Sequence, residues 1–134
     1  MKILTKHTDY ALAALGVMVE QRDESVTVAD LAQRLGIPYP FLRGVFQKLS
    51  KAGLVQSFRG QGGGYRLTRK PERITVGDVM EVFQGPLEFT QCWVRDEKCP
   101  RRNRCTVRKK LKSLEQLFKQ ELSDCTLAEL SPID

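Results

Sequence analysis

Leu54-Val55-Gln56-Ser57-Phe58, Arg59-Gly60-Gln61-Gly62-Gly63-Gly64 and Tyr65-Arg66-Leu67-Thr68 follow one another without a break. The outer runs alternate apolar and polar residues, the pattern of short half-exposed strands. The middle run has four glycines in six residues, which suits a tight and exposed reversal. The stretch therefore predicts a small antiparallel hairpin with a basic tip.

The segments before it set its context. Thr27-Val28-Ala29-Asp30 reads as a capping box, with an acidic group three residues beyond the cap. Leu31–Leu35 continues that helix and Gly36 stops it. After Ile37-Pro38-Tyr39 a second helix opens at Pro40, whose missing N–H suits a first helical position. Phe41, Leu42, Val45, Phe46 and Leu49 form its apolar stripe, and Gly53 ends it. Two helices joined by so short a turn predict a helix-turn-helix. With the hairpin behind it, the order is that of a winged helix. Thr5 to about Gln21 supplies an earlier helix, with apolar residues from Tyr10 to Val19 at helical spacing.

Downstream, Thr75-Val76-Gly77-Asp78 is a second capping box and opens Val79–Phe83, which Gly85-Pro86 breaks. A long helix spans Thr106 to about Leu122. Val107, Leu111, Leu114, Phe118 and Leu122 recur near an a/d spacing, and Leu117 widens the stripe. Such a helix is about 25 Å long and finds no equal in its own chain. A second copy would cover it, so the sequence predicts a homodimer with Leu111, Leu114, Phe118 and Leu122 in the interface. Thr126-Leu127-Ala128-Glu129 reads as the cap of a last short turn.

The fold class is thus mainly α: a winged helix-turn-helix with a small β-hairpin wing and a long C-terminal dimerisation helix. One domain covers residues 1–134, with the winged part at about 1–85. A cysteine loop occupies about 86–105, and the dimerisation helix and terminal turn about 106–134.

The chain carries a net charge of +6 and a pI near 9.3, which favours a polyanionic partner. From Arg43 to Arg73 there are eight Lys or Arg and one acidic residue, Glu72. Double-stranded DNA is the expected partner. Tyr39, Pro40, Phe41, Arg43, Gln47 and Lys51 would face it from the second helix, and Arg59, Gly60 and Gln61 from the wing. Arg43 suits bidentate recognition of guanine, and Arg59 suits a narrow minor groove. No signal peptide or membrane-spanning run is legible, so a cytoplasmic protein is expected. No nucleotide-binding loop, no Cys-x-x-Cys and only one histidine, His7, are present. Neither an enzyme nor a small-molecule substrate is expected.

Cys92, Cys99 and Cys105 share one polar run, with six and five residues between them. Reduced thiols in such a run point to a soft metal or redox chemistry. The spacing alone leaves an iron–sulfur cluster, zinc and a thiol switch open. Arg95, Lys98, Arg101, Arg102 and Arg104 supply positive surroundings. Cys125 stands apart and reads as a buried structural cysteine. Asp9 reads as a first-turn carboxylate answering the helix dipole.

Taken together, the residues resemble the winged-helix iron–sulfur transcription regulators of the IscR and NsrR type. Thr8-Asp9-Tyr10-Ala11-Leu12, Val28-Ala29-Asp30-Leu31-Ala32 and Gly36-Ile37-Pro38-Tyr39 carry the likeness. So do Lys51-Ala52-Gly53-Leu54-Val55, the wing from Arg59 to Leu67, Ile74-Thr75-Val76-Gly77-Asp78-Val79, and the three cysteines. The resemblance implies a homodimeric transcription factor in which Cys92, Cys99 and Cys105 hold one iron–sulfur cluster, 2Fe–2S in preference to 4Fe–4S. IscR-like members carry a histidine three positions after the last cysteine. Arg108 stands there in this chain, and arginine stays protonated and cannot ligate. NsrR-like members use an aspartate at the start of the first helix, which puts the fourth ligand on Asp9, with His7 as runner-up. Where the IscR pattern has an acidic residue on the recognition helix, this chain has Arg43. The alternative is a winged-helix repressor that answers a metabolite or a partner protein without a cluster.

Overall fold

The computed structural model describes residues 2–21, 24–60, 63–89, 101 and 104–130. Its elements are α1 (Lys6–Glu20), α2 (Val28–Leu35), α3 (Tyr39–Lys51), β1 (Val55–Phe58), β2 (Gly64–Leu67), α4 (Val76–Gln84) and α5 (Thr106–Asp124). Single 3₁₀ turns cover Pro71–Arg73 and Leu127–Glu129. The mainly helical, winged reading holds.

Local chemistry sets most boundaries. Thr5 Oγ1 accepts the Thr8 N–H and starts α1. Thr75 and Asp78 form both halves of a capping box at α4. At α2 only the first half forms, as Thr27 Oγ1 accepts the Asp30 N–H. Asp30 is exposed, so solvent serves its carboxylate, whereas Asp78 is half-buried. Gly36 closes α2 in the left-handed conformation. Helix α3 starts one residue before the expected place, with Pro38 as N-cap. Pro40 then takes the second helical position, where its missing N–H is still harmless.

The core gathers Ala14 and Leu15 of α1, Leu31 of α2, and Leu42, Val45, Phe46 and Leu49 of α3. Val55, Ile74, Val79 and Leu127 complete it. Helices α2 and α3 each bury one stripe and leave the opposite face wet, as amphipathic periodicity requires.

The hairpin pairs Val55 with Leu67, Gln56 with Arg66, Ser57 with Tyr65 and Phe58 with Gly64. A third partner was not legible in the sequence. Val26 exchanges both backbone hydrogen bonds with Tyr65, at 3.0 and 2.7 Å. Gly64 permits this approach. Its φ is +144°, and an added Cβ would stand 2.4 Å from the Val26 carbonyl oxygen. The Phe46 and Tyr65 rings, 5.0 Å apart, lock the wing to α3.

The C-terminal end docks back on the winged part. Leu127 N–H donates to Ile74 O at 2.8 Å and Val76 N–H to Cys125 O at 2.9 Å. Thr126 precedes the last turn, but its side chain makes no capping bond. That expectation is corrected: its backbone is engaged instead in a bridge to Thr75.

Candidate nucleic-acid interface and sensor segment

Helix α3 presents two faces. Leu42, Val45, Phe46 and Leu49 are buried, while Tyr39, Pro40, Arg43, Gln47, Lys48 and Lys51 are exposed. Tyr39, Arg43 and Gln47 stand one helical turn apart, so they share a stripe. Arg43 and Arg59 have no ion-pair partner among the described residues. Arg59 and Gly60 are exposed at the start of the wing tip, and Gly63 N–H donates to Gly60 O at 2.9 Å. Gln61 lies outside the described residues.

Phe41 differs from its neighbours. It is half-buried, stacked on His7 at 4.5 Å and edge-on to Tyr10 at 5.3 Å. Lys6 Nζ lies 5.5 Å from both the Tyr10 and Phe41 rings. The Phe41 ring is thus engaged in fixing α3 against α1. His7, apparently idle in the sequence, is part of that contact.

Of the four expected cluster ligands, two lie within the described residues. Cys105 is the N-cap of α5, half-buried, and makes no capping bond. Asp9 is exposed in the first turn of α1. Cys92 and Cys99 lie outside the described residues. Among the described residues, no group of three His, Cys, Asp or Glu converges on a metal-sized site. Cys125 ends α5, roughly 30 Å along the helix from Cys105. It is half-buried rather than fully buried. Burial pushes its thiol pKa up, and the neighbouring Glu129 adds to this.

The long helix α5 is unusual in what it buries. Of its 19 residues, only Glu115 is buried. Leu114 is 43% exposed, Leu117 62% and Val107 66%. Leu111, Phe118 and Leu122 are half-buried, facing an open groove of about 1020 Å³ shared with α4 and residues 85–89. The stripe is therefore not wholly without intrachain cover, contrary to expectation. Phe118 packs on Phe89 at 5.4 Å, and Leu122 approaches Gly77 closely enough that an added Cβ would stand 3.4 Å away.

Glu115 fastens the chain leading towards the cysteines. Phe89 N–H donates to its Oε2 at 3.2 Å, and Lys119 Nζ donates to Oε1 at 3.2 Å. Lys112 Nζ lies 3.7 Å from Oε2. The Phe89 hydrogen bond, then Lys119, hold its pKa below the ordinary 4.5. A lowered folded-state pKa means stability that is present above the unfolded value and lost as pH falls through the folded one. We expect thermal stability to decline below about pH 4.5 partly through this group. Glu115→Gln should remove that portion of the decline in a pH series of melting curves.

A second clamp was equally invisible in sequence. Thr8 Oγ1 and Thr5 N–H both donate to Gln84 Oε1, at 2.7 and 3.1 Å. Gln84 Nε2 donates to Ile3 O at 2.8 Å. The amino-terminal arm is thereby tied to the last residue of α4.

The sequence as a whole is similar to known proteins. The family described as "Rrf2: Iron-dependent Transcriptional regulator" matches residues 4–132. This chain belongs to the Rrf2 family. The Rrf2 chain is 36% identical over 130 residues to the HTH-type transcriptional regulator IscR of Aliivibrio salmonicida, covering 97% of this chain and 77% of that protein. With IscR of Yersinia pseudotuberculosis it shares 37% over 128 residues, covering 95% and 77%. Among solved structures it is similar to CymR (YrzC), the global cysteine regulator of B. subtilis. There the TM-score is 0.83 and the identity 25%, covering 98% and 97%. T. potens IscR gives a TM-score of 0.76 and 28% identity, covering 96% and 85%. Rrf2 proteins are transcriptional regulators, not enzymes, which agrees with the expectation from sequence. No helix among the described residues is long and apolar enough to cross a membrane.

Proposed function

We propose that this Rrf2-family regulator is a cytoplasmic homodimer that binds operator DNA through α3 and the wing under control of an iron–sulfur cluster. Cys92, Cys99 and Cys105 hold the cluster, 2Fe–2S in preference to 4Fe–4S, and Asp9 is the fourth ligand. The observation that carries this reading is Cys105 as N-cap of α5. The last cysteine of the segment thus stands directly before the helix with the exposed apolar face. On this reading the three parts form one domain, with the winged part, the cysteine segment and the dimer helix in that order.

The donor chemistry fits. Thiolates are soft ligands suited to iron. The Cys105 thiol makes no hydrogen bond among the described residues, and the amino end of α5 favours negative charge. When bound, the cluster supplies a group whose integrity and redox state change with chemical conditions. The protein's own part is mechanical. Cys105 orients the first turn of α5, and Glu115 holds the preceding arm at Phe89. Cluster binding by these cysteines would thus bear on how two reading heads are spaced. A dimer reads half-sites at fixed separation, so a small change there alters affinity.

Likeness to CymR, the global cysteine regulator of B. subtilis, favours a second reading. In it, the same DNA-reading dimer answers a metabolite or a partner protein without a cluster.

Both readings share one test at the DNA face. Arg59→Ala should weaken binding to all sequences, whereas Arg43→Ala should also relax base preference, by roughly 1–3 kcal/mol at one position. Titrations with matched and single-mismatch duplexes measure this. Unchanged discrimination in Arg43→Ala would remove that residue from base readout.

A further inference from the structure

The outer face of the wing carries an arrangement that the helix-turn-helix does not explain. Gln56, Phe58 and Arg66 share that face, since Gln56 pairs with Arg66 and Phe58 with Gly64. Phe58 is 43% exposed, which leaves its ring open to a neighbour on the same face. Gly64, directly opposite, has no side chain to cover it. Arg66 fills the space instead: its guanidinium carbon lies 5.1 Å from the Phe58 ring centre. Arg66 is exposed and has no carboxylate partner among the described residues.

A guanidinium lying over a ring uses its face for the contact. Its N–H groups point out along the edges, and their fork matches the oxygens of a phosphate. The ring also restricts the side chain before binding, so less freedom is lost when the contact forms. Arg59 and Gly60 stand at the end of the same strand.

We propose that Arg66, held on Phe58, is a phosphate-binding residue of the wing, clamping the DNA backbone beside the groove that the wing tip enters. The proposal rests on the DNA-binding reading above. It adds a positioning contact that carries no base information, distinct from Arg43 and Arg59. Phe58 acts only through Arg66.

The test is the salt dependence of affinity for a duplex selected by the wild-type protein from a random-sequence pool. Each phosphate neutralised contributes about 0.9 to the slope of log affinity against log salt. Arg66→Ala, present in both protomers of the dimer, should lose about 1.8 of slope, about 0.9 for each protomer's contact, and roughly tenfold or more in affinity at low salt, while keeping sequence preference and melting temperature. Arg66→Lys should retain the slope but bind more weakly, since an ammonium lacks the fork. Phe58→Leu should also retain the slope and lose affinity, because only pre-positioning is removed. Wild-type slope and affinity in Arg66→Ala would overturn this proposal alone. Wild-type affinity in Phe58→Leu would overturn the part given to the ring. A wild-type protein whose affinity ignores salt would overturn the DNA-binding reading and this proposal with it.

Discussion

Leu114→Asp combined with Phe118→Asp should convert the proposed dimer to a monomer and lower operator affinity by about two orders of magnitude or more. Leu114 is 43% exposed on a helix that buries only Glu115 among its 19 residues. Phe118 is half-buried and lines the open groove beside it. A carboxylate on that face would have to lose water on association without gaining a partner. In the monomer Leu114 stays open to solvent and Phe118 gives up its contact with Phe89, so folding should survive with some loss of stability. The loss of affinity follows from geometry rather than contact. Two linked heads gain from each other's binding, and separated heads do not. Sedimentation and DNA titration of the same preparation check both halves. An unchanged dimer would place the interface elsewhere on the molecule.

Cys92→Ser, Cys99→Ser and Cys105→Ser should each abolish cluster binding, and Cys125→Ser should leave it intact. The serine hydroxyl is a poor substitute for a thiolate towards iron. Cys125 lies at the far end of α5, with its backbone in the junction to α4. Iron and sulfide content after anaerobic reconstitution reads the outcome. Full content in Cys99→Ser, or loss in Cys125→Ser, would reverse the assignment. Asp9→Ala against His7→Ala resolves the remaining ligand. The His7 ring is stacked on Phe41, so His7→Ala should disturb α3 packing, while exposed Asp9 makes no such contact. A cluster spectrum untouched by Asp9→Ala would remove Asp9 from the ligand set.

Much of this architecture is legible in the sequence because local rules decide it. Thr27 and Thr75 start helices through bonds to residues three positions on, and Gly36 stops one. The alternation across 54–68 specifies a hairpin whose faces are fixed by the period of two. What escapes is whatever joins distant segments. Val26 completes the wing through backbone bonds, which leave no side-chain signature. Gln84 binds residues 76 and 79 positions away, and no spacing rule signals such a pair. Glu115 looks like part of a polar face. Only Lys112 and Lys119, at helical spacing on either side, hint that its charge is compensated. Arg66 likewise reads as one more basic residue until the register sets Phe58 diagonally beside it.

Control of DNA binding by a single bound group is open to one decisive experiment. The protein is purified without oxygen, its absorption spectrum and iron and sulfide contents are recorded, and its operator affinity is titrated before and after removal of iron. The expected result is a coloured dimer with about two iron and two sulfide per chain, and an affinity that changes clearly when they are removed. A colourless, iron-free dimer that binds the same operator, with affinity indifferent to reconstitution, would contradict it.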